Sequence, residues 1–201
     1  MILLEVGMNL ADYIDNAIDE NLILKTYVKE HLKSSLIAAA EMTSQSILAG
    51  NKLLICGNGG SAADAQHIAT EFTARLYKRE RPAMAAIALT TDTSAITAIG
   101  NDYGFDRIFE RQAQALCQYG DIMLGISTSG NSPNVIHAIH AAMCKDMKTI
   151  AFLGGNGGEI ALDCVDVCLI VPSTNTMRIQ EVHIMLGHLL CQLTEELVYP
   201  K

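Results

Sequence analysis

Tryptophan is absent from the 201 residues, rings make up only 5% of them, and there are just four prolines. Half the residues are nonetheless apolar, so the core must be built from Leu, Ile, Val, Ala and Met. That share excludes a disordered chain and leaves apolar surface for subunit contacts, since obligate interfaces resemble split cores. No apolar run reaches the length of a membrane span. The opening MILLEVGM has neither the basic flank nor the length of a secretory signal, and residues 1–7 read as a tail ahead of Met8. The six cysteines contain no CxxC pair, and Cys164 and Cys168 lack a second ligand pair, so the sequence predicts buried free thiols in a reducing cytoplasm. A basic face is missing too. With a net charge of −8 and scattered Lys and Arg, the composition argues against a nucleic-acid partner. The one local cationic stretch, RLYKRER at 75–81, reads as a solvated helix end.

What is present is ordered. Leu10 to Ala49 carries helical periodicity in two pieces with a break expected at Asn21, and Gly50-Asn51 stops it. From residue 52 strands and helices alternate. The predicted strands are Lys52–Cys56, Met84–Leu89, Ile122–Ile126, Thr149–Leu153 and Val167–Val171. The predicted helices are Ser61–Tyr77, Ser94–Ile99, Phe105–Tyr119, Pro133–Lys145 and Arg178–Leu197. This alternation implies an α/β fold, a five-stranded parallel sheet sandwiched by helices. One domain is expected over 1–201, with a helical arm to residue 50 and an α/β core beyond it. Gly-rich loops follow three of the strands (GNGG at 57–60, STSGNS at 127–132, GGNGG at 154–158) and would lie where such sheets bind ligands.

The first loop lacks the third glycine of a dinucleotide fingerprint and the Gly-Lys-Ser/Thr of a P-loop, so no nucleotide is expected there. Ser61 is placed to cap the helix that follows. The second loop is sharper: Ser127, Thr128, Ser129 and Ser132 set four hydroxyls between a strand and a helix, with Pro133 in the first helical turn. Hydroxyls and amides at a helix N-terminus form a neutral phosphate cup, suited to a sugar phosphate.

His67 and Glu71, spaced i, i+4, share one helix face; Gln180 and His188 lie on one side of the last helix. If these groups converge, a carboxylate and an imidazole could move a proton between adjacent sugar carbons through an enediol. Alternatively, two His, one Glu and one Gln could bind a divalent metal of the zinc type. Spacing leaves both open. His137, His140 and His183 read as core or interface residues.

CGNGGSAADAQHIATEF at 56–72, AIGNDYGF at 98–105, GDIMLGISTSGNSPNVI at 120–136 and RIQEVHIMLGH at 178–188 together resemble the phosphoheptose isomerases of the sugar-isomerase (SIS) fold. The resemblance runs from Leu10 to the last helix. It implies a flavodoxin-like sheet, a cytoplasmic homotetramer with sites between subunits, and conversion of sedoheptulose 7-phosphate to D-glycero-D-manno-heptose 7-phosphate, feeding ADP-heptose for lipopolysaccharide core. By motif, Asn58, Gly59, Gly60, Asn101 and Asp102 would contact the sugar, and the four hydroxyls the phosphate. Glu71 would be the base and His188 its acid/base partner. His67, Glu71, Gln180 and His188 would form a zinc set, one ion per site.

A rival reading is the related non-catalytic tetramer that binds the bacterial replication initiator. That relative lacks the carboxylate and imidazole matching Glu71 and His188 and carries an arginine in its cup, whereas this chain has both groups and an intact STSGNS. A sugar-phosphate-sensing regulator would need a basic helix-turn-helix, which the N-terminal arm does not show.

Overall fold

The structure is a computed structural model and describes residues 9–78, 80–163 and 165–200. Residues 1–8, Arg79, Cys164 and Lys201 therefore lie outside it, and with them the expected tail and one of the expected thiols.

The chain opens with α1 (Leu10–Tyr27), whose first amides are satisfied by Asn9: its side chain accepts from the Ala11 amide at 3.0 Å. A π-helical turn at Val28–Leu32 leads into α2 (Lys33–Leu48). The expected break at Asn21 does not occur. Asn21 is buried mid-helix and donates to Glu181 at 2.5 Å, so its amide is used across elements rather than against its own backbone. Gly50 ends the helical segment at φ +84, as its position predicts.

Five strands follow: β1 (Leu53–Gly57), β2 (Ala86–Ala88), β3 (Ile122–Ser127), β4 (Lys148–Gly154) and β5 (Val167–Val171). All pair in parallel in the order β2-β1-β3-β4-β5. The remaining helices are α3 (Gly60–Thr73), α4 (Thr93–Tyr103), α5 (Ile108–Leu116), α6 (Pro133–Met143) and α7 (Thr176–Val198). Alternate strand residues face opposite ways. Ile55, Leu124 and Phe152 pack with α2, α3 and α7, while Leu54, Met123 and Leu153 pack with α5 and α6. In this strand order the chain reverses direction between β1 and β3, and the crevice outside their carboxyl ends is the ligand position. The loops at 57–60 and 127–132 flank it.

Several expected boundaries move. The helix after the first loop ends at Thr73, not Tyr77, and α4 runs on to Tyr103, placing Asn101 and Asp102 on a helix. The segment expected to be helical from Phe105 begins as a 3-10 turn, becomes α-helical at Ile108 and ends at Leu116. Three described cysteines (56, 117, 191) are buried as expected, where burial raises their thiol pKa values. Cys168 is half-buried, and Cys144, at the end of α6, is exposed.

Candidate active site

The candidate reacting groups lie on two neighbouring helices, α3 and α7. On α3, His67 Nε2 lies 3.3 Å from Glu71 Oε1, as i, i+4 spacing allows. From α7, His188 presents its own Nε2 at 2.9 Å from that of His67. At that distance the two ring nitrogens are within hydrogen-bonding reach of each other, with the donor set by the tautomers. The three ligand-type atoms lie within 4.8 Å of one another. What lets the helices come this close is Gly187: a Cβ there would meet Ile68 Cδ1 at 2.6 Å. Gln180, two turns earlier on α7, rests its amide over Gly60, where a Cβ would fall 2.6 Å from Nε2.

The loop leading into α3 departs from expectation in one respect. Ser61 is buried in the first helical turn and does not cap; Gly59 is the N-cap, at φ +55. Asn58 is not free either. Its amide exchanges two hydrogen bonds with that of Asn134 on α6, at 2.8 and 2.9 Å, tying the first loop to the second across the crevice.

In the second loop the hydroxyls draw together. Ser127 Oγ is 2.9 Å from Ser132 Oγ and 3.5 Å from Ser129 Oγ, and it accepts the Gly130 amide at 3.1 Å. Pro133 takes the first helical position, and Ser132, the N-cap residue, turns its hydroxyl to Ser127 instead of capping. Thr128 is half-buried beside them. The GGNGG loop backs this cup. Gly130, at φ +67, has room only for hydrogen, since a Cβ would sit 1.9 Å from Gly157 O. Ile160 N donates to Gly130 O (3.0 Å) and Glu159 N to Asn131 Oδ1 (2.8 Å), so the third Gly-rich loop shapes the second.

Asn101 and Asp102 are exposed at the end of α4 and bond to each other at 2.8 Å. Thus His67, Glu71 and His188 come together, as do Ser127, Ser129 and Ser132. Asn58 and Gln180 are held at the crevice by neighbours, and the α4 pair stands apart from both groups.

Sequence reasoning missed Asn134, Gly187 and Asp64. Asp64 precedes His67 by one turn, a spacing that could have flagged it. Its Oδ2 is shielded from solvent without a hydrogen-bond partner among the described residues. Burial raises its pKa, against the pull of His67. His183 is fully buried; its Nε2–H donates to Leu153 O on β4 at 3.0 Å, and burial drives its pKa down to about 4.

A parallel 2-1-3-4-5 sheet with a hydroxyl cup at its switch point defines a SIS-domain protein, and residues 13–154 match the SIS domain family. The phosphoheptose isomerase of Roseiflexus sp. (strain RS-1) is 49% identical over 93% of this chain and 94% of its own. The structure of the Neisseria gonorrhoeae phosphoheptose isomerase superposes with a TM-score of 0.87 at 47% identity, covering 94% of this chain and all of that one. That of a Francisella tularensis phosphoheptose isomerase gives 0.90 at 38% identity, with the same coverage. The chain belongs to the phosphoheptose isomerase family and is a sugar-phosphate isomerase.

Proposed function

We propose that the chain converts sedoheptulose 7-phosphate to D-glycero-D-manno-heptose 7-phosphate, the entry step to ADP-heptose for surface glycans. The observation that carries this reading is the convergence of His67, Glu71 and His188 between α3 and α7, in a fold whose switch-point crevice also holds the serine cup.

The phosphate rests on Ser127, Thr128, Ser129 and Ser132 and the adjoining amides, where the dipole of α6 favours the anion. The sugar extends toward Asn58, Gly59, Gly60 and Gln180. Glu71 takes the proton from C1 of the ketose, giving an enediol. His188 carries the hydroxyl proton from O1 to O2, and the proton held by Glu71 returns to C2, leaving the aldehyde at C1. Nothing is oxidised or reduced overall.

The donor set also fits zinc. Two imidazole nitrogens and a carboxylate oxygen are borderline-soft N and O ligands, and tetrahedral zinc with bonds of about 2.1 Å needs its ligands about 3.4 Å apart, within the span found here. His67, Glu71 and His188 would hold the ion, with Gln180 the fourth ligand named by family resemblance. Bound there, zinc would supply Lewis-acid polarisation of the substrate oxygens.

Half-exposed His67, the exposed Asn101–Asp102 pair and an apolar row on α1 support a site completed by neighbouring subunits, in this reading those of a homotetramer. Among the described residues no helix is long and apolar enough to cross a membrane. The test is aldose formation from sedoheptulose 7-phosphate by the purified protein, with and without chelator. Turnover that chelation removes and zinc restores is expected; no aldose under either condition overturns the reading.

A further inference from the structure

Two cations of the RLYKRER stretch, Lys78 and Arg81, are not the solvated charges its pattern suggests. Arg81 and Glu195 form an ion pair at 3.0 Å with both side chains only 1% exposed. Glu195 Oε1 also accepts the Lys78 amide, and Lys78 Nζ bonds Glu196 at 2.7 Å. Burial opposes ionisation of Glu195, but the hydrogen bonds from Arg81 and from the Lys78 and Tyr77 amides outweigh it and hold the carboxyl below its ordinary pKa.

The other edge of the Arg81 guanidinium reaches the catalytic helix. The last carbonyls of an α-helix have no partner within it. At the end of α3, Thr70 O accepts the Ala74 amide (2.8 Å) and Phe72 O the Met84 amide (3.1 Å). Glu71 O accepts Arg81 Nη2 at 2.6 Å. A cation there also complements the helix dipole. Cys191 lies among these groups: its thiol bonds Ile68 O at 4.0 Å and feels the charges of Glu71, Arg81 and Glu195. One planar fork thus joins the backbone of Glu71 to α7, the helix that carries His188.

We propose that Arg81 is a positioning residue for Glu71: anchored on Glu195, it fixes the last turn of α3 so that the carboxylate keeps its place against His67 and His188. This rests on the reading of Glu71 as the base. Stability alone does not explain the arrangement, because buried ion pairs are often replaced by apolar residues without loss. Lysine keeps the charge but not the fork, and a single ammonium cannot hold both Glu195 and Glu71 O in the same geometry.

The experiment compares Arg81→Lys and the double variant Arg81→Met/Glu195→Leu with wild type, each shown folded by circular dichroism and thermal melting. Folded Arg81→Lys should lose about 10- to 100-fold in kcat with KM nearly unchanged, as expected when a reacting group shifts by a fraction of an ångström to an ångström. The double variant, its pair replaced by packing, should be as slow while melting near wild type. Either variant folded and turning over at the wild-type rate overturns the proposal. Glu71→Gln in parallel separates the two claims. Retained turnover there defeats the base assignment. An inactive Glu71→Gln beside a full-speed Arg81→Lys defeats only the positioning role.

Discussion

Single residues here have their chemistry set by what surrounds them. His183 sits between β4 and α7, bonded to Leu153 O and closed to solvent, with its pKa driven from 6.5 to about 4. The unfolded chain takes up a proton at this ring as pH falls through 6.5, and the folded chain does not until near 4. Stability is therefore lost in that window, by roughly 3 kcal/mol in all. Urea denaturation at a series of pH values should show the decline, and His183→Gln, which can still donate to Leu153 O, should flatten it above about pH 5, before carboxylates contribute. An unchanged slope in the variant would remove His183 as its source. His183 reads from the sequence as a core or interface residue and is indeed buried, whereas His188, on the same helix, meets His67.

Between elements, the decisive contact is α3 against α7. Gly187 allows it, and Gly187→Ala would drive a methyl into Ile68, which is fully buried. We expect a loss of about 1–3 kcal/mol of stability from overpacking, together with a fall in kcat as His188 is pushed from His67. Thermal melting and steady-state kinetics check both; a variant as stable and as fast as wild type would show that the helices have slack. The same contact marks how far sequence can be read. The i, i+4 pairing of His67 and Glu71 was legible because one helix sets it, and the hydroxyls of 127–132 because one loop holds them. Their meeting with His188 depends on packing, which spacing does not encode. Strand β5 fell on its expected residues, a short apolar run bounded by polar loops. Strand β2 shrank from Met84–Leu89 to Ala86–Ala88, because the Met84 amide is engaged by Phe72 O at the end of α3. RLYKRER misled for a related reason. Lys78 and Arg81 meet partners at the far end of α7, more than a hundred residues away, which local charge patterning cannot foresee.

The whole molecule leaves one face unexplained by its own fold. Leu10, Ile14, Ile18 and Leu22 recur every fourth residue on α1 and are all exposed, although α1 is pinned to α7 through Asn21–Glu181 and Arg178. In the proposed tetramer this row is covered by other copies, and the half-exposed His67 site is finished by them. Replacing Ile14 and Ile18 by Glu should dissociate the assembly in analytical ultracentrifugation and cost at least about tenfold in turnover, since a charge in an apolar interface is left unpaired. A variant that sediments as a monomer but keeps full activity would separate assembly from catalysis.

The proton transfer itself is tested most directly by following sedoheptulose 7-phosphate by NMR with wild-type protein and with Glu71→Gln at equal concentration, while calorimetry measures sugar-phosphate binding. Wild type should produce the anomeric signals of the aldose. Glu71→Gln should bind the sugar phosphate and leave the ketose unchanged. Aldose formed by Glu71→Gln at a rate comparable to wild type would contradict the assignment of the base, and with it the chemistry assigned to α3 and α7.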